Sequence, residues 1–506
     1  MARSFIAMTV AWSLGFAAVS AHGAGAGERG DTLTIGTGTD IISLDPGNHG
    51  TNATSAVLIN LYDQLVNADF STGTLEFRPS LAEKWERTSP TTWVFDLRRD
   101  VRWHNGDPFT AEDVKFTIDR LQDDRKLRSN GKFSTVREVR VLSPHRVEIE
   151  TDGVDALLLH KFVGVGPNIL PRKAFEAAGT PEKFFAEPVG TGPYRFGEWA
   201  KADRVTLLRN DQWWGGKPKW EKVVFRALPE TTTRVSELIT GGVDIATAVP
   251  PEDIARINAN TATRTAASNI ARNCILLLRT APDTPTGDPR VREAIDIAID
   301  RDVIVKDVLS GLGVPTRGFF PPEIPGANPD LDKDYRFDPQ RARQLLAEAG
   351  HANGFELEFA TPNGRYIKDK EVAEVIAGYL EDIGIRVKLQ VLDWTVYKDR
   401  QQADKFGEAY FRCMGSYTDA SSFYRRDWNE HHKWNSAEYD ALAREGGVEA
   451  DDARRNEISR KTQAIVADER PQIGIYFPKA NYGINNRIDF APRFDELFIA
   501  EDISLK

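Results

Sequence analysis

Residues 412–424 read RCMGSYTDASSFY and combine hydroxyl groups, one carboxylate and arginines that lie close by on both sides. Side chains of these types hold polar or charged solutes through hydrogen bonds and ion pairs. A polar loop is more often a solvated connection than a site, so this stretch alone assigns no chemistry. The rest of the chain must decide between binding and catalysis.

The chain carries no sequence motif of a common catalytic site. It has no G-x-S-x-G elbow, no H-E-x-x-H zinc helix, no P-loop, no cysteine pair at metal spacing and no dinucleotide fingerprint in a strand-to-helix context. The GTGTD segment at 36–40 is explained equally well by a tight turn after a strand. Asp40, Asp45 and Asp419 offer carboxylates, but an acid and base pair requires proximity, which spacing along the chain does not establish. No cofactor is therefore predicted.

Two adjacent histidines, His431 and His432, are the remaining candidates for metal ligation. Neighbouring residues point to opposite sides of a strand or splay in a loop, which disfavours joint ligation of one ion. A metal-chelate receptor that uses one of them stays an alternative.

The N-terminus has the pattern of a secretory signal over residues 1–24. Arg3 precedes an apolar stretch from Phe5 to Val19 that is too short to span a bilayer, and Ala21 and Ala24 suit an exporting peptidase. The cleavage region contains no cysteine, so a lipid anchor is not indicated. We expect a mature protein that is free in the periplasm, without membrane insertion.

Composition excludes some partners. The 506 residues include 65 Lys and Arg and 75 Asp and Glu, a net charge of -10, with both signs interspersed and no basic stripe. Nucleic acid is therefore not an expected partner. The length implies two or three structural units. The two cysteines, Cys274 and Cys413, are interpreted as buried small hydrophobic residues, although an oxidising compartment would allow them to pair.

Strand and helix signals alternate along the chain. DTLTIGTG and TTWVFDLRRDVRW show the alternation of strands, the latter through Trp93, Phe95, Leu97 and Val101. Thr110 with Asp113 predicts a capped helix, and Asp-Pro pairs at 288–289 and 338–339 predict two more. After these come a strand at FELEF, a helix from Val372 that Gly384 closes, and a strand at IRVKLQVL. This order predicts an α/β domain from about residue 280 onward.

Three stretches carry a resemblance to a known family. RPSLAEKWERTSPTTWVFDLRRDVRWHNGDPFTAEDVKFTIDRL (78–121), GTGPYRFGEW (190–199, followed by NDQWWGGKPKWEKVVFR) and DPRVREAIDIAIDRDVI (288–304) resemble, in order, segments of family 5 extracellular solute-binding proteins. These proteins serve ABC importers of peptides, nickel chelates and opines. The similarity extends over essentially the whole mature chain.

The resemblance implies an α/β, type II periplasmic binding protein fold, in which two hinged lobes close on a ligand and an extra α+β domain is added. Lobe I would comprise 31–63, 190–275 and 481–506, the extra domain 64–189, and lobe II 276–480. The ligand is expected to be selected mainly by lobe II.

The resemblance also places candidate ligand-binding residues in lobe II. In TPNGRYIKD (361–369), Arg365 falls where peptide-binding members hold the ligand's terminal carboxylate, and a guanidinium suits that task because its planar fork donates two parallel hydrogen bonds. Trp394 falls where members place a pocket-wall tryptophan. The alternatives are a surface arginine in a glycine-containing turn and a core tryptophan under the sheet edge.

The opening stretch aligns with the family pattern G-W-S-A-D-Y-P-D-P. Tyr417 and Asp419 match it, whereas Ser416 replaces the carboxylate that pairs with a peptide's ammonium in dipeptide-type members. A serine does not neutralise a buried ammonium, and an unpaired buried charge costs several kcal/mol. Arg412, Arg425 and Arg426 flank the loop and favour an anion. The alternatives are that these arginines form a solvated face and that Asp419 accepts an amine. The ligand-binding set is thus Arg365, Trp394, Ser416, Tyr417 and Asp419, and the expected ligand is anionic.

We therefore expect a periplasmic substrate-binding protein, not an enzyme, that acts as a monomer and passes an acidic or blocked peptide, a glutathione-like compound, an opine or a sugar phosphate to an importer's permease and ATPase subunits. An exported hydrolase of peptides or glycosides, which needs paired catalytic groups in the cleft, and the metal-chelate receptor are the alternatives.

Overall fold

The computed structural model describes residues 30–70, 74–415, 418–421 and 433–506. The predicted signal peptide, Ser416, Tyr417, Arg425, Arg426, His431 and His432 lie outside the described residues. Within the described ranges, each helix is too short or too polar to cross a membrane.

Strands and helices alternate along much of the described chain. The strands are β1 (Thr32–Thr37), β2 (Val66–Asp69), β3 (Glu76–Pro79), β4 (Ala82–Ser89), β5 (Thr92–Leu97), β6 (Val136–Ser143), β7 (Arg146–Thr151), β8 (Tyr194–Ala200), β9 (Arg204–Arg209), β10 (Lys222–Ala227), β11 (Ile245–Ala246), β12 (Thr263–Asn269), β13 (Arg272–Leu278), β14 (Gly313–Pro315), β15 (Glu356–Pro362), β16 (Arg386–Leu392), β17 (Ala409–Gly415), β18 (Gln472–Asn485), β19 (Ile488–Asp489) and β20 (Ser504–Leu505). The helices are α1 (Asn52–Leu61), α2 (Ala111–Asp123), α3 (Arg172–Ala178), α4 (Pro181–Ala186), α5 (Thr231–Ile239), α6 (Ile254–Asn258), α7 (Pro289–Ile297), α8 (Arg301–Val303), α9 (Pro339–Glu348), α10 (Asp369–Asp382), α11 (Trp394–Gln402), α12 (Ala437–Val448) and α13 (Asp452–Glu469).

One long sheet joins two halves of the molecule, in the order β16-β15-β17-β13-β18-β11-β1-β10-β9-β8, with β12 and β14 also paired to β18. The 14-residue strand β18 pairs with β13 and β14 through its first half and with β11 through its end. The consecutive strands β12 and β13 pair with the same strand on either side of the junction. The two halves are therefore connected by antiparallel crossings, a geometry in which a few backbone angles can move one half against the other.

Several sequence predictions for individual elements are confirmed. Thr110 and Asp113 form the predicted capping box at α2. The Asp288 side chain accepts from the Arg290 N–H at the start of α7, and Asp338 caps α9 in the same way. Beyond residue 280, β15 pairs in parallel with β16 and β17, as an α/β domain requires.

The strand predicted at TTWVFDLRRDVRW is too long. β5 ends at Leu97, and Val101 lies beyond a turn, although it is buried in the same core as Phe95 and Leu97. Val101 accepts a hydrogen bond from the Phe109 N–H at 3.1 Å, so its backbone is paired outside the strand. Val101 appeared to continue the strand pattern only because its side chain is buried in the same core after the chain has turned.

The extra domain contains an antiparallel sheet of order β4-β5-β7-β6, against which α2 packs. Its apolar core draws on residues between Leu65 and Ile169. Leu170 and Phe184, which the sequence assigned to the same domain, pack instead in the core of lobe I, on and near the short helices α3 and α4. The domain boundaries themselves stay a prediction.

Cys274 and Cys413 form a disulfide, so their interpretation as two unpaired hydrophobic residues is wrong. They are directly opposite each other on the antiparallel strands β13 and β17. A separation of 139 residues along the chain carries no information about this register, which only the sheet creates. Both cysteines line the cleft described below.

Candidate functional site

A cavity of about 570 Å³ lies between the two lobes. Lobe I contributes residues from the end of β1, from α1 and from the turn before α5, together with Glu252, Glu496 and Phe498. Lobe II contributes the loop from Asn363 to Asp369, and β18 contributes residues where it crosses from one lobe to the other. A cavity of this size, closed by two walls that share crossing strands, is suited to a small solute.

The loop that carries Arg365 is shaped by one carboxylate. Asp369, at the start of α10, accepts the N–H groups of Gly364 and Lys370 through Oδ1, at 2.9 Å each. Its Oδ2 accepts those of Arg365 and Tyr366, at 2.8 and 3.0 Å. Burial raises the pKa of Asp369, and these N–H groups oppose that rise. The loop is thereby held in one shape before any ligand arrives.

The Arg365 guanidinium lies beside two aromatic rings that contact each other, and it has no ion-pair partner among the described residues. Its central carbon is 5.4 Å from the ring centre of Tyr366 and 5.2 Å from that of Trp394. The Tyr366 hydroxyl donates to the Cys413 carbonyl at 2.8 Å, which fixes that ring. Solvent reaches Arg365, yet the cleft walls desolvate it and lower its pKa. An arginine stays protonated at neutral pH despite such a shift, so the site offers an unpaired, oriented cation.

Trp394 lies at the start of α11 and is half-buried. It stacks on Tyr397, with ring centres 5.5 Å apart, and the Tyr397 hydroxyl donates to the Phe411 carbonyl. Trp394 does not line the cavity itself, but its ring lies against the guanidinium of Arg365, which does. The structure thus brings Arg365 and Trp394 together, while Trp394 also has the partial burial of a core residue.

A second polar group in the cleft was missed from the sequence. Glu496 Oε2 accepts from Asn52 Nδ2 at 2.8 Å and from Arg272 Nη2 at 2.7 Å. Glu496 has a φ of 60°, in the left-handed region that glycine and asparagine favour. It follows a turn in which Asp495 binds the Arg493 guanidinium through both oxygens. The tail APRFDELFIA has no motif that would have identified this residue, and the partners are distant in sequence.

The rims of the two lobes also meet. Lys368 Nζ in lobe II lies 3.2 Å from Glu252 Oε1 in lobe I and 3.5 Å from Glu371 Oε1 on its own helix. The hydrogen bond to Glu252 raises the pKa of Lys368. Like Glu496, Lys368 has a positive φ, of 56°. Left-handed non-glycine residues cluster at functional sites, and Ala248 is a third one in the lining of this cavity.

Asp419 is placed differently from the other predicted ligand-binding residues. It is 4% exposed and does not line the cavity. Its Oδ1 accepts the Ser421 N–H at 2.7 Å, and its Oδ2 lies 3.9 Å from His160 Nε2 and 3.8 Å from Arg455 Nη2. Burial lowers the pKa of His160, the residue of the extra domain in this contact. This geometry favours a link between the extra domain and lobe II, and contact with ligand stays a prediction.

The charged residues that line the cavity have an excess of positive charge. The cations are Arg234, Arg272, Arg365, Lys368 and Lys479, and the carboxylates are Glu252, Asp369, Glu371 and Glu496. Five cations against four carboxylates leave a formal charge of +1 on the described lining, in a chain whose net charge is -10. The Arg234 guanidinium donates to backbone carbonyls, among them those of Leu228 and Thr247, and so supports the wall. Arg365 is thus the exposed cation best suited to meet an anion.

Metal binding has no support in the described part of the chain, where no group of three or more His, Cys, Asp and Glu side chains is arranged to hold an ion. His431 and His432 fall outside that part. Their role in metal binding therefore stays an untested alternative.

The chain is similar to known binding proteins over most of its length. It is 28% identical to the dipeptide-binding protein of Escherichia coli, over 82% of this chain and 83% of that protein. It is 27% identical to the glutathione-binding protein GsiB of Shigella flexneri, over 71% of this chain and 70% of that protein. These two relatives are named for different ligands at nearly equal identity, so similarity alone does not choose a ligand.

Solved structures show the same fold. The periplasmic binding protein DppA from Helicobacter pylori, in complex with the peptide STSA, superposes with a TM-score of 0.80 at 24% identity and covers 94% of this chain and 98% of that one. The fold is therefore that of the type II periplasmic binding proteins, as predicted. The model of the bacterial extracellular solute-binding proteins, family 5, matches residues 76–435. The chain belongs to family 5 of the bacterial extracellular solute-binding proteins.

Proposed function

We propose that this protein captures a small anionic, peptide-like solute between its lobes and delivers it to the permease of an ABC importer. The candidate solutes are an acidic or amine-blocked peptide, a glutathione-like compound, an opine or a sugar phosphate. The observation that carries the proposal is the Arg365 guanidinium, which lines the cleft, lies beside the rings of Tyr366 and Trp394, and has no ion-pair partner among the described residues.

A carboxylate is the group that this environment fits best. The planar fork of arginine donates two parallel hydrogen bonds to a carboxylate, and such charge-assisted bonds are about twice as strong as neutral ones. Tyr366 and Trp394 lie against the guanidinium and restrict its rotation. A site whose donor is oriented in advance loses less entropy on binding. Because Arg365 is oriented in advance, it both binds a terminal carboxylate and fixes the position of that carboxylate in the cleft.

The charge of the cleft also favours an anion. The described lining has an excess of one positive charge, although the whole chain is acidic. The family alignment places a serine, Ser416, where dipeptide-type members have the carboxylate that holds an ammonium. A plain dipeptide with a free amine would thus lack the usual partner for that amine at this position.

The transport step follows from the family and from the position of the cleft. As a member of a family of solute-binding proteins, the chain is a receptor and not an enzyme. A ligand bound to both walls stabilises the closed form because it has contacts there that the open form lacks. Closure removes water from Arg365 and strengthens its ion pair with the ligand. The closed form would be recognised by the membrane permease, whose separate ATPase subunits supply the energy.

The experiment begins with the ligand that the protein carries. The mature protein is purified from the periplasm of its native host and denatured, and the released small molecules are identified by mass spectrometry. An Arg365→Ala variant is processed alongside, with Arg343→Ala as a control, since Arg343 is an exposed residue of α9. We expect a stoichiometric organic anion that is absent from the Arg365 variant and retained by the control.

Other outcomes would change the proposal in different ways. Recovery of neutral free-amine dipeptides would contradict the anionic ligand and keep the family. Recovery of a metal chelate, together with its loss in a His431→Ala, His432→Ala variant, would favour the metal-chelate receptor. Turnover of the recovered compound on incubation would support the hydrolase.

A further inference from the structure

Glu496 has a hydrogen-bonding capacity that its protein partners do not fill. Both Asn52 and Arg272 donate to Oε2, and no described residue donates to Oε1. The side chain is 21% exposed, and the residue lines the same cavity as Arg365. A carboxylate oxygen that is held in place in a binding cleft and has unused lone pairs is suited to accept a hydrogen bond from a ligand.

Arg365 and Glu496 line the cavity from opposite lobes. Arg365 belongs to the loop before α10 in lobe II, whereas Glu496 belongs to the C-terminal tail in lobe I. Burial lowers the pKa of Arg365, and the two side chains are close enough for the Glu496 carboxylate to oppose that shift. A small ligand that bridges them would therefore contact both lobes and favour closure.

The backbone of Glu496 indicates that its position is maintained at some cost. A φ of 60° is unfavourable for a residue with a Cβ, and such strain persists only where the surrounding structure enforces it. Here the Arg493 and Asp495 ion pair shapes the turn, and Asp495 Oδ1 also accepts the Leu497 N–H. The simplest competing explanation is that Glu496 only neutralises Arg272. That role uses Oε2 and does not account for Oε1, to which no residue of the described ranges donates.

Charge balance indicates the kind of ligand. Among the described residues, Arg365 and Arg272 together with Glu496 contribute a charge of +1, the same as that of the described cavity lining. A ligand with two carboxylates and one protonated amine has a charge of -1 and would balance it. One carboxylate would bind Arg365, and the amine would donate to Glu496.

We propose that Glu496 is a specificity-determining residue, which accepts a hydrogen bond from the protonated amine of an anionic ligand whose carboxylate binds Arg365. This inference rests on the proposed function and narrows it to amine-bearing anions with a net charge of -1, such as acidic dipeptides and glutathione-like compounds. Glu496 would thereby supply, from lobe I, the carboxylate that the family alignment lacks at Ser416.

Two matched pairs of probes test the inference: glutathione with N-acetylglutathione, and Ala-Glu with N-acetyl-Ala-Glu. Acetylation removes the charged amine and keeps both carboxylates. Calorimetry measures the affinity of each probe for the ligand-free wild-type protein and for Glu496→Gln, Arg365→Ala and Glu374→Gln. Glu374 provides the control for loss of a negative charge, because it lies on the exposed face of α10 and pairs with Lys370.

For at least one pair, we expect Glu496→Gln to weaken binding of the free-amine probe at least tenfold and to change binding of the acetylated probe less than threefold. Retained binding of the acetylated probe also shows that the variant is folded. Arg365→Ala should weaken binding of both probes of that pair, and Glu374→Gln should weaken binding of neither.

The alternatives are distinguishable. Equal weakening of both members by Glu496→Gln would show a counterion for Arg272 and overturn the inference while the proposed function stands. No effect of Glu496→Gln on either member would overturn it as well. If the wild-type protein binds none of the four probes, the inference is overturned, while the proposed function stands with an opine or a sugar phosphate as the ligand. If Arg365→Ala does not weaken binding of any probe, the proposed function fails and the inference fails with it.

Discussion

Lys368 Nζ lies 3.2 Å from Glu252 Oε1, and the two residues come from opposite walls of the cleft. The Glu252 side chain is 60% exposed and that of Lys368 is 28% exposed, so water screens their attraction. Exposed ion pairs of this kind contribute about 0.2–1 kcal/mol. A pair that exists only when the rims meet stabilises the closed form by that amount.

The first prediction concerns this rim pair. Lys368→Glu and Glu252→Lys should each accelerate dissociation of the bound ligand by about two- to fivefold, because each places like charges at the closed rim. The variant with both exchanges should dissociate from the ligand at a rate close to that of the wild-type protein. Stopped-flow measurement of the dissociation rate at low and high salt tests this, since salt should reduce the effect of the single exchanges. Equal rates in all variants would show that the rim pair does not contribute to closure.

The second prediction concerns the disulfide. Replacing Cys274 and Cys413 with serine should lower the free energy of unfolding by about 2–4 kcal/mol, because the bond closes a long loop in the unfolded chain. Urea denaturation with and without reductant provides the measurement. Reductant should destabilise the wild-type protein to the level of the variant and leave the variant unchanged. An equal effect of reductant on both proteins would contradict a structural disulfide.

The double serine variant should also bind ligand more weakly than the wild-type protein. The loss of binding free energy should be smaller than the loss of unfolding free energy. The Cys413 carbonyl accepts from the Tyr366 hydroxyl, and the Tyr366 ring lies beside the Arg365 guanidinium. Loss of the bond between β13 and β17 would therefore loosen one side of the arginine site.

Local signals predicted most of the elements that frame the site, and resemblance predicted part of the site itself. The Asp288 and Asp338 caps act within one helical turn, so the sequence contains all of their partners. The structure brings Arg365 and Trp394 into contact, but Trp394 does not line the cavity, and its role as a pocket wall stays a prediction.

Other parts of the site depend on distant segments. The Glu496 and Asn52 pair joins residues 444 positions apart, and the Lys368 and Glu252 pair joins residues 116 positions apart. Neither pair has a local spacing that distinguishes it from the many other charged and amide residues of the chain. Such contacts exist only after the tail returns to lobe I and the lobes approach each other.

The third prediction concerns acid stability. Burial lowers the pKa of His104 to about 4, below its ordinary value of 6.5. Its Nδ1 accepts the Gly190 N–H at 3.1 Å and its Nε2 bonds the Gly192 carbonyl at 3.0 Å, an arrangement that only the neutral ring with a proton on Nε2 satisfies. Below pH 6.5 the unfolded chain binds a proton that the folded protein excludes, so stability falls as the pH decreases from about 6.5 to about 4.

The size of this effect is about 1–3 kcal/mol at the acid end. Urea unfolding of the wild-type protein and of His104→Gln between pH 7 and pH 4.5 measures it as a difference, which removes the contributions of other groups. The variant should be less stable than the wild-type protein at pH 7, with a gap that narrows as the pH decreases. A constant gap would show that His104 is not the group responsible.

The fourth prediction separates charge from shape at Arg365. Arg365→Lys keeps a cation and loses the planar fork, so it should lower the affinity for the anionic ligand by about 10-fold. Arg365→Ala, which also removes the charge, should lower that affinity by about 100-fold or more. Calorimetry with the ligand recovered from the native protein measures both. Full affinity in the lysine variant would show that a point charge suffices and that bidentate binding is absent.

The fifth prediction concerns Ser416 and rests on the family alignment, since this residue lies outside the described part of the chain. Ser416→Asp restores the carboxylate that dipeptide-type members use for a peptide's ammonium. Ala-Ala should therefore bind the variant at least tenfold more tightly than the wild-type protein, because its charged amine gains a partner. N-acetyl-Ala-Ala, which lacks that amine, is the control and should not gain. If Ala-Ala gains nothing either, the alignment of this stretch is wrong, and the case against neutral dipeptides that rests on Ser416 no longer holds.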